Sequence, residues 1–585
     1  MDIRIKVLAA CAIVAFSAVG LEASARQADR VAWPDQIFVG RFLTLDPARP
    51  QVEAIAVTNG RIVALGSRAE IEALAGGKTK KIKVPGVGVP GWADAHVHNA
   101  EGDPSLGVDL RGLPKQQILD EVAKLAKTTP SGQEIRATGW DESFFTPSAF
   151  PTAADLDAVS GDHPVVLDRL DGHATWVNSR VLRNSGITRT TADPPGGRIV
   201  RSASGEATGI LVDNAMDLIQ RAGARANAPE ALRRMRTTLQ QYARLGYTGI
   251  HVAGLDLPTI DTYKQLLKAD GDLPVRAYLM ATGDPAIRHY LQQGPESNLG
   301  DGQLSVRSIK LLIDGALGSR GALLAQPYSD APGEVGLSMM DDGTFDTYIK
   351  QLREKGFQVN VHAIGDKGVK RVLDAFERNG VKPMDRFRIE HASMISPTDL
   401  PRFARLGVIA SMQPMFLGEY GRWGAERIGP ERLKWLLPIR DLLATGAIVA
   451  CGSDFNATDS GNPIYTLSAL VTRTGADGGP PGGLLPEQAV DVDAALRCMS
   501  TGPAFAAFQE KDLGALTIGR YADFTVLSAD PHAVLPEELR NLTVRMTVMG
   551  GRVRFEAAAP VATTQHGRPM AMVSKRGTRI TQSSE

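Results

Sequence analysis

Two histidines separated by one residue, His96 and His98, follow an apolar, turn-rich run from Val84 to Pro90 and the segment Gly91-Trp92-Ala93-Asp94-Ala95. On a strand, side chains alternate faces with a period of two, so these two imidazoles share a face and could hold one metal ion. Alone, the pair reads equally well as packed or surface histidines. Four further residues change its weight. Lys310 lies in the run Ser308-Ile309-Lys310, His362 closes Gln358-Val359-Asn360-Val361, His391 closes Arg388-Ile389-Glu390, and Asp454 follows Ala450-Cys451-Gly452-Ser453. Taken singly, a strand-end His is a hydrogen-bonded structural residue, Asp454 is a helix cap, and Lys310 is a salt-bridged lysine. Six such residues in order, each at a strand end, are hard to assign to chance. Imidazole donors beside a carboxylate suit a divalent ion with a general base at hand.

The elements that must position them alternate. Strand-like runs at 91–96, 247–252, 275–279, 308–313, 357–362, 387–391, 408–412 and 448–452 are separated by helical stretches such as Pro229 to Leu245 and Thr344 to Lys355. Alternation of this kind argues for an α/β protein with a parallel sheet. Eight such units are the count of a (β/α)8 TIM barrel, whose functional side chains sit at the C-terminal ends of its strands. The barrel is expected over 91–511, with residues 105–215, rich in Gly, Pro and Asp, inserted after the first strand.

Short strands and turns flank the barrel. Residues 36–40, 53–57 and 61–65 read as strands, the last two joined at Asn59-Gly60, a strong hairpin signal. Residues 512–556 repeat the pattern, with strand runs at 524–527 and 544–549 and a turn at Gly550-Gly551. The economical expectation is one split β domain built from 26–90 and 512–556. Residues 557–585 are polar, lack periodicity and read as a disordered tail.

Composition sets bounds. The chain of 585 residues is 43% hydrophobic and 22% charged, with 65 basic and 65 acidic residues. That balance fits a globular protein and gives no reason to expect a nucleic-acid partner. Residues 1–25 read as a secretory signal: Arg4 and Lys6, an apolar run from Val7 to Leu21, then Ala23-Ser24-Ala25. An exported protein, periplasmic or secreted, is expected, with its mature start at Arg26 and no stable membrane insertion thereafter. An uncleaved anchor is the second reading, but the run is short for a bilayer span. Cys451 and Cys498 remain after the signal. Cys451 reads most simply as a buried small hydrophobe, and a disulfide between the two is open.

The ordered set resembles the amidohydrolase superfamily, metal-dependent hydrolases on a distorted (β/α)8 barrel with a composite β-sandwich domain. Several stretches look like the amidohydrolase-3 branch, which contains N-substituted formamide deformylase. They are Arg136-Ala137-Thr138-Gly139-Trp140-Asp141-Glu142, Asp171 to Ser179 (containing His173 and Trp176), Ile309 to Arg320, His391-Ala392-Ser393 and Gly452-Ser453-Asp454. The resemblance covers essentially the whole mature chain and shows no departure at the six positions.

The resemblance implies a metal site of His96, His98, Lys310, His362, His391 and Asp454, holding one or two divalent ions with Zn2+ the leading candidate. A free ammonium has no lone pair, so Lys310 ligates only if CO2 converts it to a carbamate, as the resemblance implies; the alternative is a plain lysine beside a single ion. Asp454 is the candidate catalytic base, taking a proton from an attacking water and returning it to the leaving nitrogen. The expected activity is hydrolysis of a C–N bond, amide-type and N-formyl or N-acyl, in a small-molecule substrate. An esterase or lactonase on the same site, or a non-catalytic metal-containing binding protein, are the alternatives. Trp140, His173 and Trp176 could close over the pocket and Arg320 could meet a substrate anion, each with an equally weighted reading as core packing or surface charge. Glu390 alternates to the opposite face from His391 and reads as structural, and His251 is given no ligand role. Oligomeric state, a homo-oligomer included, is open.

Overall fold

Eight parallel strands carry the six residues. In the computed structural model, which describes residues 33–98, 108–219, 228–458 and 460–558, they are β1 (Trp92–Val97), β2 (Tyr247–Leu255), β3 (Arg276–Ala281), β4 (Leu304–Leu312), β5 (Gln358–Ala363), β6 (Arg388–His391), β7 (Ile409–Met412) and β8 (Val449–Cys451). The expected signal at 1–25 and nearly all of the expected tail at 557–585 lie outside the described residues. Each strand pairs with its sequence neighbour in parallel register, in the order β8-β7-β6-β5-β4-β3-β2-β1. Such strands are buried on both faces and therefore read as near-continuous apolar runs, as Val359, Val361 and Ile389 do.

Closure between β8 and β1 is made by the chain just beyond β8. Asp454 N donates to His96 O at 2.8 Å, and Ser453 N donates to the buried Asp94 carboxylate at 2.8 Å. Gly452 is needed for this approach, since a Cβ there would lie 2.5 Å from His96 N. The turn that carries Asp454 is thus also the seam of the barrel.

Helices on the outside follow local rules. Leu257–Asp270 starts at an Asp256 cap that accepts from Thr259 N, has Pro258 in its first turn, and stops at left-handed Gly271. Asp366–Arg378 buries Val369, Val372, Leu373 and Phe376 along one stripe, the spacing of a helix packed against a sheet.

Strands from both ends of the chain form a single seven-stranded sheet. Phe524–Leu527 runs antiparallel to Lys80–Pro90, pairing Phe524 with Pro90 and Leu527 with Val87. Phe38 and Phe42 both meet Phe524 edge-on, at 5.0 and 5.3 Å, in the core beneath it. Asn59-Gly60 and Gly550-Gly551 all have positive φ, as the hairpin turns read from the sequence require.

The insertion builds a second unit of its own. Its six-stranded sheet runs Gly197–Arg201, Ala207–Asp213, Ala174–Val177, Val165–Arg169, Ile135–Trp140, Val108–Asp109. Trp140 and Trp176 are fully buried in the core of this unit, 6.1 Å apart and edge-on. Their indole N–H groups donate to Leu167 O and Thr152 O, both at 2.8 Å. The expectation that they close over the pocket is therefore corrected: a unit this size needs large anchors, and both indoles are spent on it.

Candidate metal centre

The strand ends bring five of the six predicted residues into one cluster, four of them buried and His98 half-exposed at its edge. Asp454 Oδ1 lies 3.1 Å from His98 Nε2 and 3.6 Å from His96 Nε2, and its Oδ2 lies 3.7 Å from His391 Nδ1. Lys310 Nζ is 3.4 Å from His96 Nε2. One donor atom from each of His96, His391 and Asp454 falls within 4.8 Å of the others. His362 stands one ring further out, 4.5 Å from the His391 ring, with Nε2 turned toward Gly315 O at 3.4 Å.

The backbone is bent to make this cluster. His391 has φ +73° and Asp454 has φ +56°, left-handed values that side chains with a Cβ rarely adopt. Strain of this kind persists where the surroundings enforce it, and it gathers at functional sites. It also corrects the reading of Glu390. Alternation holds along β6 up to Glu390 and then breaks at His391, so both side chains reach the barrel interior. Glu390 is fully buried and its Oε2 lies 2.5 Å from His96 Nδ1.

Electrostatics match a cation-binding role. Burial pushes the Glu390 carboxyl up, but His96, Arg388 and Lys310 outweigh it and hold it at about 2. An ionised Glu390 accepts a hydrogen bond from His96 Nδ1–H, which leaves the Nε2 lone pair facing Asp454 and Lys310. A carboxylate that fixes a ligand's tautomer is the usual outer partner of a metal-bound histidine. Burial also pushes His96, His362 and His391 below the ordinary histidine range, toward the neutral form that ligates. Burial lowers Lys310 despite Glu390 and Asp454 nearby. Asp454 is raised by burial and lowered more strongly by His98 and His96.

Asp454 Oδ1 and His391 Nδ1, like Glu390 Oε1 behind them, are buried without a well-directed hydrogen bond. Buried polar atoms are nearly always satisfied, so an acceptor pair left open beside His96 Nε2 suits a divalent cation. The donor set of imidazole nitrogens and carboxylate oxygen is that of a Zn2+-type site.

A cavity of about 230 Å3 opens onto the cluster. His98, Asp171 and His173 form part of its wall, and Phe416, Tyr420 and Trp423 form another part. Phe416 and Tyr420 stack at 5.6 Å, and Tyr420 meets Trp423 edge-on at 5.4 Å. Of the residues the sequence proposed for substrate contact, His173 alone lines this space. Arg320 does not; its guanidinium pairs with Asp330 at 2.7 Å, and the expectation that it meets a substrate anion is corrected accordingly.

A second buried network docks the insertion over the barrel. Arg169, itself fully buried, pairs with Asp141, Glu142 and Asp171 at 3.0, 2.8 and 2.6 Å. Arg427 reaches Glu142 at 2.9 Å from the helix Leu417–Leu433 and also donates to Gly318 O. A Cβ at Gly318 would lie 2.5 Å from the Arg169 guanidinium. The stretches Asp141-Glu142, Asp171-Gly172-His173 and Gly315 to Gly321 thus form the contact between the two units.

Comparison with known proteins agrees with this geometry. A family model described as the amidohydrolase family matches residues 86–555. YtcJ of Bacillus subtilis (strain 168), an amidohydrolase by name, is 32% identical over 532 residues, 89% of this chain and 99% of that protein. The N-substituted formamide deformylase of Arthrobacter pascens is 27% identical over 541 residues, 88% of this chain and 96% of that one. Among solved structures, an uncharacterized metal-dependent hydrolase from Pyrococcus horikoshii OT3 aligns with a TM-score of 0.68 at 25% identity, covering 86% of this chain and 99% of its own.

Proposed function

The chain belongs to the amidohydrolase family, metal-dependent hydrolases acting on carbon–nitrogen bonds, and from that premise we propose that it cleaves an amide-type bond, N-formyl or N-acyl, in a small uncharged molecule. The observation that carries this reading is the buried group of His96, His391 and Asp454, with Glu390 locking His96 and with Asp454 Oδ1 and His391 Nδ1 left open. His96, His98, His391 and Asp454 would hold a divalent cation, Zn2+ the leading candidate, with His362 beside them. When bound, such an ion supplies Lewis acidity toward a carbonyl and acidifies water.

The protein's own groups do the rest. The Asp454 carboxylate takes the proton of the attacking water and delivers it to the departing nitrogen. Glu390 keeps His96 in one tautomer throughout. The wall of Phe416, Tyr420 and Trp423 excludes bulk water and seats the apolar part of the substrate. Lys310 enters as a carbamate: its amine is buried, shifted toward the neutral nucleophilic form, and within ligand reach of His96, and CO2 addition replaces a cation by an anion.

The uncharged substrate follows from the lining. Among the described residues the cavity wall carries the carboxylates of Asp171 and Glu419 away from the cluster, Asp454 and Lys310 at the cluster itself, and no arginine. An N-acyl amino acid would bring a further carboxylate to a wall that, away from the cluster, carries carboxylates and no lysine or arginine. Export is part of the same reading. It rests on the signal-like residues 1–25 and on the disulfide joining Cys451 to Cys498, a bond that persists in oxidising compartments.

Metal-loaded protein assayed against N-formyl amines, N-acyl amines, N-acyl amino acids and matching esters tests the substrate reading. Neutral amides should turn over at least about tenfold faster than the anionic amides and the esters. Fastest turnover of the esters or of the amino-acid derivatives contradicts it.

A further inference from the structure

His173 and Asp213 form a pair that the hydrolytic scheme above does not use. His173 Nδ1 lies 2.7 Å from Asp213 Oδ1. The two stand on neighbouring strand ends of the insertion, where Asp213 N donates to His173 O at 3.0 Å. The carboxylate of Asp213 is buried, and its Oδ2 has no hydrogen-bond partner. Asp213 has φ +51°, a left-handed backbone.

The barrel makes room for this pair. A Cβ at Gly315 or Gly321 would lie 2.3 or 2.2 Å from Asp213 Oδ2, so both positions in the segment after β4 must be glycine for the carboxylate to seat. Burying a carboxylate against an imidazole is a poor way to gain stability, because desolvation offsets the attraction. A strained backbone, an open carboxylate oxygen and two glycine-dependent contacts are spent on fixing a single ring.

That ring faces the reaction. His173 lines the cavity, and its centroid is 4.8 Å from that of His362, which is 4.5 Å from His391 in the cluster. With Nδ1 held by Asp213, Nε2 is the nitrogen left for a bound molecule. We propose that His173 contacts the scissile amide group through Nε2 and that Asp213 is a positioning residue acting through His173. The inference rests on the metal-site reading above and deepens it. The insertion then contributes to the site itself, and a barrel without it would hold the ion but grip the amide less well.

Acetohydroxamic acid serves as the probe, because its carbonyl and N–O oxygens chelate divalent ions while its C(=O)–NH unit mimics an amide. Its Kd for metal-loaded full-length protein is measured by calorimetry in wild type, His173→Gln, Asp213→Asn and the double variant, with metal content checked in each. His173→Gln should weaken binding about tenfold or more, the scale of one hydrogen bond to a charged or metal-bound group. Asp213→Asn should weaken it by a smaller factor, and adding it to His173→Gln should cost nothing further. His173→Phe, which keeps a ring against His362, should match His173→Gln and stands in if that variant fails to fold. Unchanged affinity in the metal-loaded His173 variants overturns the contact. An Asp213→Asn cost that is the same with and without His173 overturns the positioning role. No binding to metal-loaded wild type overturns the metal-site reading instead, and this inference falls with it.

Discussion

Two clusters of ionisable side chains are buried in this protein, one in the insertion and one at the barrel strand ends, and they are finished differently. In the insertion, Arg169 meets three carboxylates at 2.6 to 3.0 Å. At the barrel mouth, Asp454 Oδ1 and His391 Nδ1 are buried without a well-directed partner, on backbone held at positive φ. Both clusters are costly to bury. The first is closed upon itself and does architectural work, docking one unit on another. The second leaves donor atoms open in an arrangement that suits a divalent ion. Burial and charge alone do not separate the two roles; the Arg169 guanidinium is paired with three carboxylates, whereas Asp454 Oδ1 and His391 Nδ1 are left open.

Substitutions on the two sides should separate accordingly. Asp454→Asn keeps the shape and removes the base, so kcat for any amide substrate should fall by about 10^2–10^4, with the circular dichroism spectrum unchanged. Wild-type turnover in that variant would remove Asp454 from the proton transfer. Arg169→Met leaves Asp141, Glu142 and Asp171 buried without their common partner, which should cost about 3–5 kcal/mol and appear as faster amide exchange in residues 135–177. Exchange that stays as slow as in wild type would show that the network does not hold the insertion.

Glu390→Gln should act on the metal rather than on the fold. It loosens the tautomer of His96, and affinity for the divalent ion, measured against a competing chelator, should drop about 10–100-fold. Arg320→Ala is the smallest change. Its partner Asp330 also pairs with Arg427 at 2.6 Å, so stability should move by less than about 1 kcal/mol and kcat/KM should not move. A clear loss of kcat/KM there would return Arg320 to the substrate site.

The chain showed its barrel and the residues of its candidate metal centre plainly because both follow local periodicity. Strand runs buried on both faces are continuous and apolar, and the reactive side chains sit at their ends, so His96, Lys310, His362, His391 and Asp454 could be placed by counting. Glu390 could not, because period-two reasoning fails at the residue where φ turns positive, and His391 is that residue. Trp140 and Trp176 stood in sequence beside residues of the interdomain contact, yet their indoles turn into the insertion's own core, a choice set by tertiary packing. The glycines at 315, 318 and 321 were visible as a motif, but their purpose depends on Asp213 and Arg169, more than a hundred residues away. Cys451 was legible as buried and small; its bond to Cys498, 47 residues on, required the helix Val492–Met499 to lie against β8.

The claim on which the rest depends is that the open cluster binds a divalent ion. Elemental analysis of the purified protein, repeated after chelation and after adding back Zn2+, measures it directly. The account predicts about one or two equivalents of divalent metal per chain, loss of amide hydrolysis on chelation, and recovery on adding metal back. It further predicts that a His96→Ala/His391→Ala variant folds but retains little metal. Protein that carries no stoichiometric divalent ion, takes up none, and binds no more than that double variant would contradict it.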